Sequence, residues 1–233
     1  MVTTTHSTAT RATEIVSEYF RAPISVLEES AQVLGGQLAA AKGSGALTAA
    51  QLDLLVEPHA HAALALVEAR VYGAGFIAAV DLLTGARNHL SWWQGDDRGK
   101  LVLAAQSVNK EFIDYSDFEW FRVPMMTGAP HVAGPHVDYL CSDEYTVTVA
   151  APVHIDGDFV GVAGLDMLID SVERQLLPRL SALGEPVTLI NGVGRVVLST
   201  DAAHTTGDAV RGGRLAELER ARCAGVELDI IVG

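Results

Sequence analysis

The stretch from Trp120 to Tyr145 is the part of the sequence richest in chemically active side chains. It shows neither the 3.6-residue period of a helix nor the alternation of a strand, and we interpret it as a loop. Trp120 and Phe121 would supply an apolar wall, with His136 and Asp138 as polar groups beside it. Such a combination is typical of pockets for small ligands, and loops on rigid scaffolds commonly carry recognition.

Asp166 lies in the otherwise apolar run FVGVAGLDM, which predicts a buried strand. A buried carboxylate has to be paired, hydrogen-bonded or protonated. Its partner is either an ammonium or hydroxyl group of a ligand, or a backbone amide or helix start near Asp170. Gly161 and Gly164 in the same run leave room where a ligand or a neighbouring backbone comes close.

Other kinds of site are less well supported. His131, His136 and Asp138 are metal-ligand residue types, but their spacing matches no specific metal site. Cys141 with His136 as its base would be a thiol nucleophile, yet no oxyanion donor or orienting third group is identifiable. Walker, G-x-S-x-G and H-E-x-x-H motifs are missing from the sequence. We therefore expect a protein that is not an enzyme and that uses no metal and no cofactor.

The composition restricts the possible partners. The 233 residues are 49% hydrophobic with a formal net charge of -13, so nucleic acid or an anionic membrane is an unfavourable partner. The N-terminal segment lacks the features of a secretory signal, and no apolar run reaches about 18 residues. As written, the chain is expected to be soluble and cytoplasmic with no membrane span, and extracytoplasmic only if it is a fragment.

Two helices are predicted in the first 72 residues. Apolar residues recur at helical spacing over 11–41, which predicts a long amphipathic helix with a kink at Pro23. A capping-box pattern at 48–51 begins a second helix, which Pro58 should interrupt and which should run to about residue 71. The long helix is the candidate contact for a homodimer.

The remaining residues predict mostly strands. Apolar runs separated by turn residues predict strands at 75–81, 87–94, 145–155, 159–167 and, as a second strand-turn-strand unit, 187–200. Trp92 and Trp93 are adjacent and should face opposite sides of their strand. Asp156-Gly157 predicts a tight hairpin turn, and residues 101–109 are also expected to be extended.

Three further helical segments are predicted among these strands. A capping box of Ser116 and Glu119 should open a short helix that Pro124 ends. Helices are also expected at 171–183 and 213–222, the latter followed by a last strand. Antiparallel strands with helices at one end and on one face make an α+β fold the expected class.

The order of these segments resembles the Cache family of sensor domains. The matching segments lie within roughly residues 75–177 and read EWFRVP, GPHVD, YTVTVAAPV, DGDFVGVAGLDM and LSWWQ. The resemblance implies a PAS-like central antiparallel β-sheet, a long N-terminal dimerising helix and an abbreviated second α/β module. It divides the chain into a helical region at 1–72, a ligand-binding module at 73–183 and a small partial second module at 184–233.

The resemblance also implies a pocket between the sheet and residues 115–143. Ligand contacts of amino-acid-binding members correspond to Trp120 with Phe121, His136 with Asp138, and Asp166. The arginine that pairs with the ligand carboxylate in those members is replaced by Phe118, which argues against an α-amino-acid ligand. The full set of candidate ligand-binding residues is Tyr115, Trp120, Phe121, Arg122, His136, Asp138, Thr148 and Asp166.

The leading hypothesis is a non-enzymatic sensor domain that binds a small polar metabolite and signals to a separate output protein. Asp138 and Asp166 favour an amine, because an anion would meet their field. Arg122 and His136 favour an amino acid or a short carboxylate instead. Two alternatives stay open: a small-molecule enzyme that uses Asp166 or His136, and a structural module that binds a protein partner and no ligand.

Overall fold

The computed structural model describes residues 7–66, 69–101, 114–138 and 144–233. Within these ranges the chain has the predicted α+β fold, with a six-stranded antiparallel sheet followed by a four-stranded one. Most of the predicted extended segment at 101–109 lies outside the described residues, and so does Cys141. No helix in the described ranges is long and apolar enough to cross a lipid bilayer.

Two helices, α1 (Thr8–Ser44) and α2 (Ala49–Leu64), cover one face of the large sheet. The apolar stripe of α1 is buried, with Phe20 and Leu34 in the main core. The predicted capping box forms at the start of α2. The Thr48 side chain accepts from the Gln51 backbone N–H, and the Gln51 side chain accepts from the Thr48 N–H.

The predicted interruption of α2 at Pro58 is wrong. Pro58 lies inside the helix on its exposed side, where water can hydrogen-bond the carbonyl group that proline leaves unpaired. The helix also ends at Leu64, earlier than the predicted residue 71.

The large sheet has the strand order β3-β2-β1-β6-β5-β4. Its strands are β1 (Val71–Ala78), β2 (Leu90–Gln94), β3 (Gly99–Lys100), β4 (His131–Val137), β5 (Tyr145–Ile155) and β6 (Asp158–Leu168). β5 and β6 form the predicted hairpin. Asp156 and Gly157 both have positive φ, as a two-residue turn of the primed type requires.

The two faces of the large sheet pack against different partners. Val147 and Val149 on β5 belong to the core beneath α1 and α2, whereas Thr148 between them faces the opposite side. Trp93 joins the helix-side core and Trp92 joins a separate cluster on the other face, which confirms that the two indoles point in opposite directions. The face opposite α1 and α2 therefore carries the alternate residues of the central strands.

The interpretation of residues 120–145 as a loop is wrong for most of its described part. A turn of 3-10 helix (Tyr115–Asp117) leads into α3 (Glu119–Thr127), and β4 follows. The predicted capping box does not form, because the helix begins after Phe118 and the Ser116 N–H donates to Asp114 instead.

Pro124 does not end α3, contrary to the prediction. The proline is buried inside the helix, which continues to Gly128 at a left-handed φ of 68°. Gly128 N–H then donates to the Pro124 carbonyl at 2.9 Å. Packing of the buried Phe121 and Pro124 holds a helix that local preference alone does not favour.

The second sheet follows α4 (Ile169–Ser181) and has the order β8-β7-β10-β9. Its elements are β7 (Val187–Asn191), β8 (Val196–Ser199), α5 (Gly213–Glu217), β9 (Arg220–Arg222) and β10 (Leu228–Val232). The helix predicted at 213–222 is wrong in its second half, where β9 pairs with β10. An ion pair of 2.8 Å between Arg222 and Asp229 joins those strands.

Candidate functional site

A small cavity lies between α3 and the face of the large sheet opposite α1 and α2. We call it the central cavity, and its lining residues are Ile77, Leu90, Trp92, Trp120, His136, Asp138, Thr148 and Asp166. Its volume of about 30 Å³ has room for a water molecule or two. A metabolite would therefore enter only if the walls move apart.

A larger groove of about 830 Å³ runs along α1, but it lacks this chemistry. Its lining side chains include Arg11, Glu14 and Glu18, which lie on the solvent side of the helix. The central cavity instead brings buried carboxyl groups together with aromatic rings. We therefore take the central cavity as the candidate site.

The floor of the central cavity is a row of residues across three paired strands. Thr148 on β5 is opposite Asp166 on β6, which is opposite Gly73 on β1. Alternate residues of a strand share a face, so this register places the Thr148 and Asp166 side chains side by side. The Thr148 hydroxyl donates to Asp166 Oδ1 at 2.6 Å, and Asp166 is only 5% exposed. This hydroxyl is the partner that the buried carboxyl group needs; the helix start near Asp170 is not.

The environment of Asp166 favours its protonated form. Burial, reinforced by the negative charge of Asp138 and opposed by the Thr148 hydrogen bond, raises the pKa of Asp166 to about 8. Asp138 is 8% exposed and follows β4, where its N–H donates to the Glu144 carbonyl at 2.9 Å. Two carboxyl groups thus share one poorly hydrated space, and a cation between them would favour the charged form of each.

His136 supplies a neutral polar group at the same cavity. Burial lowers the pKa of its imidazole, against the opposite influence of Asp138 and Glu119. Its Nε2 lies 3.4 Å from the Thr148 hydroxyl oxygen. Because that hydroxyl donates its proton to Asp166, the imidazole is the donor in this weaker contact.

An aromatic group on the 3-10 turn and α3 forms the outer wall. Trp120 stacks on Phe118 with ring centroids 5.4 Å apart and lies edge-on to Phe121 at 6.1 Å. Tyr115 packs against Trp120 at 6.0 Å. Trp120 lines the central cavity, whereas Tyr115 and Phe121 line a neighbouring space of about 360 Å³. Tyr115 and Phe121, both predicted as ligand-binding residues, therefore pack against Trp120 and do not line the central cavity.

Arg122 does not reach the central cavity. Its side chain is exposed on α3, and its guanidinium Nη1 lies 3.7 Å from Met126 Sδ. The central cavity consequently has no lysine or arginine among its described lining residues. Arg122 therefore cannot pair with the carboxylate of a ligand in the central cavity as it stands.

His131, considered above as a metal ligand, takes part in a different arrangement. It is 3% exposed and lies between two carboxylates, with Nε2 2.9 Å from Glu119 Oε1 and Nδ1 3.1 Å from Glu227 Oε2. Glu119 begins α3 and Glu227 precedes β10, so the imidazole joins the aromatic wall to the second sheet. Across the described part of the chain, no group of three or more His, Cys, Asp or Glu side chains could hold a metal ion.

Three lining residues were not predicted as site residues: Ile77, Leu90 and Trp92. All three lie on β1 or β2. Ile77, for example, is on the same face of β1 as Gly73, four residues earlier. The sequence placed all three residues on predicted strands but could not identify what packs over them. Only the placement of α3 shows that these apolar residues line a cavity.

Comparison with known proteins agrees with this architecture. No model of a protein family matches the sequence, and no curated protein matches it. Among solved structures, a methyl-accepting chemotaxis protein X aligns with a TM-score of 0.64 at 15% identity, covering 93% of this chain and 91% of the other.

Two ligand-bound structures are also similar. The ligand-binding domain of the Pseudomonas fluorescens chemoreceptor CtaA, in complex with L-valine, aligns with a TM-score of 0.61 at 13% identity over 97% of this chain and 92% of its own. That of the Pseudomonas aeruginosa chemoreceptor PctB, in complex with L-arginine, aligns with a TM-score of 0.58 at 14% identity over 97% and 84%. The chain therefore has the fold of the Cache-type ligand-binding domains of chemoreceptors, which confirms at the level of the fold the resemblance seen in the sequence.

Proposed function

We propose that the protein is a non-enzymatic sensor domain whose central cavity binds a small amine. The observation that supports this most directly is the pair Asp138 and Asp166, both less than 10% exposed, beside the rings of Trp92 and Trp120. An ammonium group between the carboxylates would be attracted by both and would contact the aromatic faces.

The charge of the central cavity selects among the three ligand classes. A short carboxylate would meet the field of Asp138 and Asp166, and every donor among the described lining residues is uncharged. An amino acid would place its ammonium well but would lack a cation for its carboxylate, since Arg122 points away and Phe118 replaces the expected arginine. The similar chemoreceptor domains were solved with amino acids, which share the ammonium group with amines.

A thermal-shift screen against amines, amino acids, short carboxylates and polyols tests the proposal. A ligand at about 100 times its Kd adds about 2.7 kcal/mol, and each kcal/mol raises the Tm by about 2 to 4 °C at this size. We expect a rise with amines that Asp138→Asn and Asp166→Asn remove. The control Asp158→Asn changes an exposed carboxylate on the same strand and should leave the rise intact. A rise with carboxylates alone would refute an amine site.

The same screen separates the other functions. Chemical conversion of an amine, lost in Asp166→Asn or His136→Gln, would show an enzyme. A well-folded protein that no class stabilises would favour a structural module that binds a protein partner.

We also propose that the domain signals to a separate output protein. We also propose a homodimer through α1, but with a changed contact. The apolar stripe of α1 is buried in the protein's own core, and Val33 is the only large hydrophobic residue of the described helix that stays exposed, at 46%. A dimer would use the polar face, and light scattering at high protein concentration would detect it.

A further inference from the structure

Trp92 has a buried hydrogen-bond donor without an acceptor. The side chain is 3% exposed and lines the central cavity. Its indole Nε1 is buried and has no hydrogen-bond partner among the described residues. A buried N–H normally finds an acceptor, and leaving one unpaired is destabilising. The unpaired Trp92 N–H belongs to a residue that lines the cavity with the two carboxyl groups.

Gly73 determines where this donor lies. A Cβ atom on Gly73 would be 2.6 Å from Trp92 Nε1, so the indole nitrogen occupies the space that a side chain would fill. Gly73 is paired with Asp166 across β1 and β6. The N–H is thus the neighbour of Asp166 in the row that forms the floor, on the side away from Thr148.

This arrangement separates donor and acceptor functions along the row. Asp166 and Asp138 attract a cation at one end, while the indole N–H beside Asp166 requires an acceptor atom. Paired residues of neighbouring strands have side chains about 5 Å apart, so cation and acceptor would be separated by about two or three carbon atoms in one ligand.

Resting on the proposed amine site, we propose that Trp92 is a ligand-binding residue whose N–H recognises an uncharged oxygen next to the ammonium group. The ligand class is then an amine with a hydroxyl or amide oxygen two or three carbons away. The oxygen is uncharged because a carboxylate there would lie beside Asp166 with no lysine or arginine among the described lining residues. Gly73 is the positioning residue, because it leaves room for the indole.

Isothermal titration with matched probes tests this inference. 3-Amino-1-propanol and butylamine have the same size and charge and differ in the oxygen atom. One neutral hydrogen bond corresponds to a preference of about threefold to tenfold for the amino alcohol. Trp92→Phe removes the N–H but keeps a ring, and we expect it to remove the preference while both probes still bind. Gly73→Ala should do the same by displacing the indole.

Trp93→Phe is the matched control, since Trp93 is equally buried but packs beneath the helices. It should keep the preference. A measurement on the wild-type protein covers the case in which Trp92→Phe does not fold. A ¹⁵N–¹H spectrum shows three indole N–H signals, and the one that remains in both Trp93→Phe and Trp120→Phe belongs to Trp92. This signal should shift more with the amino alcohol than with butylamine.

The failures of the two proposals differ. Equal binding of both probes, or a preference that survives in Trp92→Phe, would overturn the role of Trp92 and leave the amine site standing. If neither amine binds to the wild-type protein, the amine site itself is refuted, and this inference with it.

Discussion

Binding of an amine should strengthen as the pH rises, because Asp166 must lose a proton to receive the cation. With a pKa of about 8, the carboxyl group of Asp166 is ionised in only about one molecule in a hundred at pH 6, and in most molecules at about pH 9. Burial lowers the pKa of His136 below its ordinary value, so that imidazole is neutral over the upper part of this interval. An amine that stays charged throughout therefore reports the ionisation of Asp166.

The expected magnitude follows from the ionised fraction. The Kd should fall about ninefold from pH 6 to 7, about fivefold from pH 7 to 8 and about twofold from pH 8 to 9. Calorimetry in buffers of different ionisation enthalpy should count about 0.9 proton released per amine bound at pH 7 and about 0.1 at pH 9. In Asp138→Asn, which should no longer bind the amine, the pH at which Asp166 ionises in the ligand-free protein should move lower, because the Asp138 charge contributes to the raised pKa.

A stability measurement provides an independent check. The folded state holds the Asp166 proton more tightly than the unfolded state, so this group lowers the stability of the protein as the pH rises from about 4 to about 8. Asp166→Asn should remove that loss and raise the Tm relative to the wild type at about pH 8. A Kd constant within about twofold from pH 6 to 9, with no buffer-dependent enthalpy, would refute the reasoning.

Two substitutions test the packing that supports the site. Gly35→Ala places a Cβ 2.5 Å from the His154 carbonyl oxygen and should lower the unfolding free energy by about 1–3 kcal/mol. In the control Gly36→Ala the new Cβ meets nothing within 4 Å, so the unfolding free energy should rise by up to about 1 kcal/mol. Equal effects of the two variants in urea unfolding would contradict the close approach of α1 to β5. Asn191→Ala removes the side-chain donor to the Gly134 carbonyl at 2.5 Å and should lower the urea-unfolding free energy by about 1–3 kcal/mol, while no loss would mean that water replaces this bond.

Sequence patterns predicted the elements whose signals are local. The alternation of β5, the Asp156-Gly157 turn and the capping box of α2 each depend on a few adjacent residues, and each is confirmed. The composition of the cavity floor was also partly predictable. A carboxyl group such as Asp166 in an apolar strand requires a partner whatever the tertiary structure.

The elements that escaped prediction depend on distant contacts. β4 contains Pro135 and reads as a loop, but it is the edge strand of the sheet, where a missing N–H removes no ladder bond. α3 contains Pro124 and is held by burial of one face. Arg122 could not be excluded from the site until the orientation of that helix was known.

Strand β4 is attached to other elements at its first residue and at its middle. Its first residue, His131, is held by Glu119 and Glu227, and the Gly134 carbonyl is held by Asn191 of the second sheet. Two residues beyond Gly134, the same strand presents His136 to the cavity. Widening the cavity for a ligand must therefore either bend β4 or change its contacts with the second sheet. A displacement of this edge strand would thus act directly on the second sheet, through the contacts of His131 with Glu227 and of Gly134 with Asn191.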